Sequence, residues 1–420
     1  MPPSGAGIIP EDRAAQLSLT RNLKMAGSPH AYVRGSTAKF YEWLEAAPRK
    51  IPEGPPVWIC GDCHMGNLGP LANAKGRVAV QIRDLDQTVI GNPTHDLIRL
   101  GLSLASAARG SNLPGVTTAR ILEALVAGYE AALMGEFKKE YDGDRRPKQI
   151  GALLDHSVKR RWRHLAMERL NTVRPLLPLG KKFWPLTTEE REALKGLFAQ
   201  EAVHEMVTAL QGRSKRDAVT LVDAAYWMKG CSSLGRIRYA AMLRVGEGEN
   251  STLCLVDVKE AVTAAAPRAA DAAMPRGNAD RVVAGARALS PNLGRRMIAA
   301  RLLDRGVVLR ELMPQDLKIE VDRLTQDQAT ALAGYLAGVV GHAHGRQMDA
   351  STRDAWLAEL GRARGATFDA PSWLWSSVVD LLAVHEAAYL EHCRRFVLSG
   401  AARTILPPPR YFKSPERQKR

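Results

Sequence analysis

Polar and apolar residues follow different patterns in successive parts of the chain, and each pattern predicts a different kind of structure. Up to about residue 212 the spacing is mainly that of amphipathic helices, interrupted by two strand candidates, VWIC at 57–60 and RVAVQIRDLD at 77–86. Strand-like patterns begin near Ala224, and helical spacing returns after Leu324. We therefore expect an α+β protein with a small antiparallel sheet inserted between helices.

The β-rich part consists of strand candidates joined by short turns. AYWMKG and GRIRYAAMLRV flank a glycine-containing loop, STLCLVDVKEA follows the turn GEGEN, and MIAARLLDRGVVLREL predicts two strands joined by a turn around Asp304. These boundaries divide the chain into a mainly helical part at 1–212, a small β-rich part at 213–324 and a second helical part at 325–420.

The charge of the chain indicates an anionic partner. The formal net charge is +15 over 420 residues, and nucleic acid, nucleotide phosphates and an acidic surface all fit this excess.

No apolar run reaches the roughly 18 residues that span a bilayer. The first residues lack the basic and apolar regions of a secretory signal, so we expect a cytoplasmic protein. Five cysteines, an odd number, indicate reduced thiols.

The stretch VWICGDCHMGNLGP contains several incompatible motifs. C-x-x-C-H is the pattern of covalent haem attachment, which occurs outside the cytoplasm and would need an export signal. Cys60 and Cys63 also form half of a zinc site, which His342 and His344 would have to complete because no second C-x-x-C occurs. A redox dithiol would lie at a helix N-terminus in a βαβ unit, whereas strand candidates flank this loop on both sides.

A phosphotransfer site accounts for more of the polar residues. In phosphoryl transfer a carboxylate accepts the proton of the attacking hydroxyl, while an amide oxygen and another carboxylate hold magnesium. Asp62 and Asn67 are separated by one loop turn, and the next strand candidate ends in Asp84 and Asp86. Carboxylates at the end of an apolar strand are costly unless they are exposed or paired with a cation. A metal ion that bridges phosphate oxygens would supply that cation.

The segment GDCHMGN, followed by QIRDLDQTVIGNPTHDL, resembles the signature of aminoglycoside-phosphotransferase-like and protein-kinase-like enzymes. The resemblance implies that Asp62 is the catalytic carboxylate, that Asn67 and Asp84 bind the metal, and that Asp96 supports the loop. Those enzymes usually have His where this chain has Cys60. A packed side chain at that position leaves the chemistry unchanged.

The whole chain resembles a narrower group, the bacterial family designated domain of unknown function 2252. The segments that show this resemblance are MAGSP at 25–29, YVRG at 32–35, the GDCHMGN loop, RDLDQT, DLIRL, VDVKEA and LRELMPQDLK. They cover most of the chain. The family name implies no reaction, so the expected function depends on the phosphotransfer signature.

A nucleotide-binding lobe would follow the motif instead of preceding it, because only about sixty residues precede Asp62 and they have a helical pattern. The loop GCSSLG at 230–235 lies between two strand candidates, where it would cover phosphates. The residues predicted to do so are Gly230, Ser232, Ser233 and Gly235. Lys259, at the end of a strand candidate, would contact phosphate oxygens, and LRELMPQ would receive adenine. We therefore expect a protein-kinase-like, two-lobed fold in circularly permuted order.

The partner of Lys259 is uncertain from the sequence. Kinase-like enzymes pair this lysine with a Glu on the following helix, but no Glu occurs between Glu260 and Glu311. The lysine then pairs with Asp280, with Glu260 or with no residue of the following helix. A degenerate site that binds nucleotide without transferring phosphate is the alternative. A nucleic-acid-binding or other anion-binding protein is the competing class. It is disfavoured because four aspartates surround the motif.

The sequence thus predicts that the γ-phosphoryl group of ATP is transferred to a hydroxyl of an unidentified substrate. Asp62 would accept the hydroxyl proton, Asn67 and Asp84 would hold magnesium, and Asp86 would assist a second metal ion or the loop. Lys259 would pair with the α- and β-phosphates. Small alcohols, antibiotics, lipid head groups and protein serines all remain open as acceptors.

Overall fold

The protein is described from a computed structural model that covers residues 7–46, 51–141, 143–210, 212–231, 234–319, 324–362, 364, 369–398 and 411–412. The helices are α1 (Arg13–Met25), α2 (Pro29–Gly35), α3 (Thr37–Ala46), α4 (Thr94–Gly110), α5 (Val116–Leu133), α6 (Phe137–Tyr141), α7 (Lys148–Lys159), α8 (Trp162–Leu170), α9 (Thr188–Phe198), α10 (Glu201–Thr208), α11 (Asn278–Leu289), α12 (Pro291–Gly294), α13 (Gln326–Gly345), α14 (Ala350–Gly361) and α15 (Ser372–Cys393). None of these described helices is both long enough and apolar enough to span a membrane.

Short strands accompany the helices, so the predicted α+β class is confirmed. The strands are β1 (Gly7–Ile8), β2 (Val57–Ile59), β3 (Leu68–Ala72), β4 (Val78–Ile82), β5 (Val89–Gly91), β6 (Phe183–Trp184), β7 (Val219–Trp227), β8 (Arg238–Val245), β9 (Thr252–Glu260), β10 (Met297–Leu302), β11 (Arg305–Glu311) and β12 (Tyr411–Phe412). Six of them form one sheet in the order β10-β11-β9-β8-β7-β6, and every neighbouring pair is antiparallel.

The alternation of side chains in β9 gives this sheet an apolar face and an opposite face, here called the charged face, on which Asp257 and Lys259 follow the buried Leu255. Val256 and Val258 are fully buried and pack with apolar residues of α9 and α10. Because successive side chains of a strand point to opposite faces, Asp257 and Lys259 point away from those helices. Helices α9 and α10 belong to the first helical part of the chain, so that part covers the apolar face of the large sheet.

The motif loop is held between two small hairpin-like pairs of strands. β2 pairs with β5, and β3 pairs with β4 from Leu68↔Ile82 to Ala72↔Val78. The loop from Cys60 to Asn67 connects β2 to β3, and the segment from Arg83 to Thr88 connects β4 to β5. Both connections therefore emerge at the same end of these pairs. That common end is where the predicted site residues lie.

A bundle of buried helices packs against the two small pairs of strands. α4, α5, α13 and α15 contribute to one continuous apolar cluster that joins the first and last helical parts of the chain. α5 and α13 approach very closely: a Cβ added to Gly128 would lie only 2.0 Å from the carbonyl oxygen of Gly334. This close contact joins α13 to α5, and a side chain of α13, His344, reaches Asp96 on α4 beneath the motif loop.

Candidate active site

The backbone of the motif loop is fixed by one buried carboxylate. Asp96, in the first turn of α4, accepts hydrogen bonds from the backbone N–H groups of Cys60 (2.7 Å) and Gly61 (2.9 Å). Gly61 has φ +73°, and a Cβ there would lie 2.2 Å from the carbonyl oxygen of Gln87. Only glycine fits this position. The contacts of Asp96 are those of a residue that supports the loop.

Asp96 is in turn held by α13. His344 Nε2 lies 3.2 Å from Asp96 Oδ2, and its Nδ1 lies 3.0 Å from the hydroxyl of Tyr129. All three side chains are completely or almost completely buried. His344 therefore uses both ring nitrogens within the protein. It is a hydrogen-bonding group of the helical core, and the pairing of His342 and His344 as zinc ligands is not supported.

Asp62 is anchored through one of its carboxylate oxygens. Arg99, fully buried on α4, donates from Nε to Asp62 Oδ1 (3.0 Å) and from Nη2 to the carbonyl oxygen of Val33 (2.5 Å). Burial raises the pKa of Asp62, and the Arg99 guanidinium opposes that rise. Asp62 lines a cleft between the motif loop and the charged face of the large sheet. It is thus an oriented carboxylate with increased basicity.

Asn67 connects the two loops of the site. Its Oδ1 accepts a hydrogen bond from the backbone N–H of Asp84 (2.7 Å), and its Nδ2 donates to the carbonyl oxygen of Asp84 (2.7 Å). The same Nδ2 lies 3.4 Å from the sulfur of Cys60. The amide therefore fixes Asp84 relative to the motif loop. Its oxygen already has one backbone donor.

Lys259 lies between the two aspartates that follow β4. Its Nζ is 3.1 Å from Asp84 Oδ1 and 3.2 Å from Asp84 Oδ2, and it also forms an ion pair with Asp86. Burial and the neighbouring Asp84 carboxylate raise the pKa of Asp86 to about 6. The Asp84 side chain is more than half exposed, and the Lys259 ammonium lowers the pKa of this carboxyl. The lysine and the two aspartates form one ion-paired cluster.

Neither of the acidic partners that the sequence suggested for Lys259 forms this contact. Glu260 instead pairs with Arg305 (2.9 Å) and accepts the backbone N–H of Ile237 (2.8 Å). Helix α11 contains Asp280 but no Glu. Sequence spacing gave no sign that the counter-charges of Lys259 would come from residues about 175 positions earlier in the chain.

The glycine-containing loop is the connection between β7 and β8. Gly230 and Gly235 have φ +99° and +101°, a conformation that favours glycine. Gly230 lines the cleft, and its carbonyl oxygen accepts a hydrogen bond from Lys24 (2.9 Å). Gly235 is not among the lining residues that the structure describes. The predicted residues Ser232 and Ser233 lie outside the described residues.

The charged face of the sheet contains a cluster that the motif analysis missed. Asp257 accepts hydrogen bonds from Arg238 Nε (2.9 Å) and Nη2 (2.5 Å), and Lys229 Nζ lies 3.3 Å from it. Burial lowers the pKa of Lys229 well below its ordinary value, although Asp257 opposes this. The sequence did contain a sign of this cluster. Asp257 lies two positions before Lys259 in an apolar strand, so both side chains must point to the same face of the sheet.

The two cysteines of the motif are buried thiols. Cys60 and Cys63 are 1% and 0% exposed, and burial raises the pKa of the Cys60 thiol well above its usual range. Redox and metal-binding cysteines need an accessible thiolate, which burial disfavours. Across the part of the chain that the structure describes, no group of three or more His, Cys, Asp or Glu side chains converges as a metal site. Cys60 packs, as its place in the motif suggested.

The predicted residues that line one cleft are Asp62, Asn67, Asp84, Asp86, Gly230 and Lys259.

A family model for an uncharacterised protein conserved in bacteria, designated DUF2252, matches residues 13–395 of the chain. Comparisons with curated proteins and with solved structures found no match. Because the family model spans most of the chain, the protein belongs to the DUF2252 family of bacterial proteins.

Proposed function

We propose that this protein is an ATP-dependent phosphotransferase of the protein-kinase-like type, with the catalytic loop before its nucleotide lobe in the chain. The observation on which the proposal depends is the convergence of Asp62, Asn67, Asp84, Asp86 and Lys259 in a single cleft. The first four come from two neighbouring loops, and the lysine comes from the sheet. Catalysis of phosphoryl transfer is mainly a matter of positioning and charge stabilisation, and these are the residue types that provide both.

Asp62 would act as the general base. The hydroxyl oxygen of the substrate forms a bond to the γ-phosphorus, the bond from that phosphorus to the leaving oxygen of ADP breaks, and the hydroxyl proton passes to Asp62. Burial raises the pKa of this carboxyl, which makes it a better proton acceptor near neutral pH. Arg99 holds one carboxylate oxygen and so fixes the direction of the other.

Magnesium would be held chiefly by Asp84 and Asp86. Protein sites for Mg²⁺ use one or two carboxylates together with water and phosphate oxygens, and both carboxylates already share a cation, the Lys259 ammonium. Asn67 fits less directly, because its amide oxygen accepts the backbone N–H of Asp84 and has only its second lone pair to offer. A bound Mg²⁺ would neutralise negative charge on the phosphate groups.

Binding of nucleotide tests the first part of this proposal. Mg-ATP should raise the melting temperature of the wild-type protein, because a ligand that binds only the folded state stabilises it, by about 2.7 kcal/mol at 100 times its Kd. Lys259→Met should remove most of this shift. Lys195→Met, on the exposed surface of α9, is the matched control and should keep it. Equal shifts in Lys259→Met and wild type would refute the assignment of Lys259.

A second candidate is a protein that binds nucleotide or another anion without transferring phosphate. It is favoured by the engagement of Lys259 with both aspartates and by the absence of Glu from α11. It predicts nucleotide binding with no transfer to any acceptor, and no effect of Asp62→Asn on affinity. Binding of nucleic acid would instead show a steep loss of affinity as the salt concentration rises.

A further inference from the structure

The cleft has a basic end that the proposed reaction does not use. Arg83, Arg169 and Arg310 line it. Arg310, on the charged face of β11, donates from Nη1 to the backbone carbonyl oxygen of Arg83 (2.8 Å), so the two residues are direct neighbours. Arg169 lies at the end of α8, and its charge also acts on Arg83. Three guanidinium groups therefore share one end of the cleft.

Two of these arginines, Arg83 and Arg310, have no carboxylate in ion-pair contact among the described residues. Arg83 is 7% exposed, and among the described residues its side chain has no hydrogen-bond or ion-pair partner. The Nε atoms of Arg169 and Arg310 are also buried without a partner in the described part of the chain. Arg169 alone has a carboxylate, Glu168, at 2.9 Å.

The carboxylates nearest to this arginine pair are already engaged elsewhere. Both carboxylate oxygens of Asp316 accept from Arg296 Nη2 (3.0 and 3.1 Å), and they also accept the backbone N–H groups of Ala72 and Met313. Asp257 is paired with Arg238 and Lys229, and Asp84 is paired with Lys259. None of them forms an ion pair with Arg83 or Arg310 in the described part of the chain, although Asp316 and Asp84 favour the charged form of Arg83 from a distance. A buried cation without compensation is costly, and the cost is removed when an anion binds beside it.

The charge and shape of the arginine pair define the class of anion. Arg83 and Arg310 together contribute two positive charges that no described carboxylate pairs with, and a phosphate monoester has a charge of about −1.5 to −2 at pH 7. The planar donor fork of guanidinium matches phosphate oxygens in pairs. A carboxylate, with a single charge, would leave half of the positive charge unmatched.

We propose that the basic end of the cleft binds a phosphate monoester group of the acceptor, so that the substrate is an alcohol that already has a phosphate. This inference extends the proposed phosphotransferase function by naming the substrate class. The bound phosphate would hold the acceptor by its charged end, while the hydroxyl to be modified lies toward Asp62 in the same cleft. Such positioning of the reacting group is a large part of the catalysis of phosphoryl transfer.

The test is calorimetric titration of the full chain with inorganic phosphate, in the absence and presence of a non-hydrolysable Mg-ATP analogue. Wild type should bind phosphate in both cases. Arg83→Met should weaken phosphate binding at least tenfold, and so should Arg310→Gln. Arg301→Gln, on the exposed end of β10, is the matched control and should bind like wild type. Phosphate should be preferred to acetate by the wild-type protein.

A stability measurement separates loss of a site from loss of the fold. Arg83→Met removes no hydrogen bond of the described structure and relieves repulsion from Arg310, so its unfolding free energy without phosphate should equal or exceed that of wild type. Unchanged phosphate binding in Arg83→Met, or equal binding of acetate, would overturn the inference. Competition between phosphate and the nucleotide analogue would assign the arginines to the nucleotide instead.

The same measurements distinguish a wrong substrate class from a wrong reaction. If the arginines have no role in binding, Arg83→Met leaves phosphate binding unchanged while Mg-ATP still stabilises the protein through Lys259. If the protein does not use ATP, the nucleotide has no effect, and phosphate binding still depends on Arg83. The first result contradicts the substrate class alone, and the second supports an anion site without the phosphotransferase.

Discussion

At the scale of single residues, Asp96 is the side chain on which the shape of the motif loop depends most. It is fully buried and accepts two backbone N–H groups of the loop and a contact from His344. In Asp96→Asn, an amide NH₂ would face one of these donors. We expect the free energy of unfolding to fall by roughly 2–4 kcal/mol, because buried donors lose their acceptor.

Denaturation by urea at neutral pH measures this loss. Asp304→Asn is a suitable control, since Asp304 is fully exposed at a turn and its replacement should change stability by less than about 0.5 kcal/mol. An Asp96→Asn protein that unfolds at the wild-type urea concentration would show that the loop does not depend on this carboxylate.

Residue types and their order indicated Asp62, Asn67, Asp84 and Lys259 as candidates, and the fold places all four in the lining of one cleft. The sequence could not pair Lys259 with Asp84, since that contact joins a loop to a sheet from a distant part of the chain. Arg99, which orients Asp62, was also missed. The sequence shows that Arg99 interrupts an otherwise apolar helix, but it does not show that the arginine contacts Asp62.

At the scale of single elements, the hairpin between β10 and β11 is locally strained. Leu303 and Asp304 form its two-residue turn with φ +50° and +60°, between the paired residues Leu302 and Arg305. Type I′ turns need positive φ at both positions and favour Asn-Gly. Replacing Leu303 by Asn together with Asp304 by Gly should therefore raise the free energy of unfolding by about 1 kcal/mol.

Chemical denaturation of the double variant measures this gain. The strands pair in a regular register on both sides of the turn, so the replacement should leave the sheet and the cleft unchanged. A loss of stability in the variant would mean that the side chain of Leu303 packs in a way that outweighs the strain of its backbone.

The elements that the sequence predicted best are those with long or strongly alternating patterns. α13 and α15 have apolar residues over about twenty positions, and β9 alternates through nine. The two-residue strand β6 has no pattern to recognise. Strand β3 contains Gly69 and Pro70, residues that are typical of turns, so its sequence does not resemble a strand. The helical spacing of residues 30–46 belongs to two helices, α2 and α3, which are divided at Ser36.

At the scale of the whole molecule, buried histidines should make the fold sensitive to acid. Burial lowers the pKa values of His30, His95 and His385 to about 4 each. The ordinary value is near 6.5, so between pH 6.5 and 4 the unfolded chain binds more protons than the folded protein. The free energy of unfolding should therefore fall as the pH decreases through this interval, by roughly 1–3 kcal/mol for one such histidine.

Urea denaturation at several pH values between 4 and 7 measures this decrease. His385→Gln, which cannot be protonated in this range, should show a shallower decrease than wild type, whatever its stability at pH 7. A variant with the same slope as wild type would show that His385 is as easily protonated in the folded protein as in the unfolded chain.

The fold class followed from composition and pattern, whereas the distribution of charge over the molecule did not. A net charge of +15 predicted an anionic partner without saying where it binds. The fold brings Arg83, Lys229, Arg238 and Arg310 into the lining of the same cleft as Asp62, Asp84 and Asp86. This arrangement depends on how the sheet faces the motif loop, and local sequence patterns contain no information about that contact.

We propose that Asp62 is the base of a phosphotransfer reaction, and a transfer assay tests this claim. Labelled γ-phosphate is followed from Mg-ATP into the acceptors of a cell extract, with wild type, Asp62→Asn and the surface control Asp304→Asn compared at equal concentration. General-base catalysis contributes about 10²–10⁴-fold. We expect transfer to fall at least about a hundredfold in Asp62→Asn, while Mg-ATP still stabilises this variant and Asp304→Asn transfers normally. Transfer by Asp62→Asn at the wild-type rate would contradict the claim.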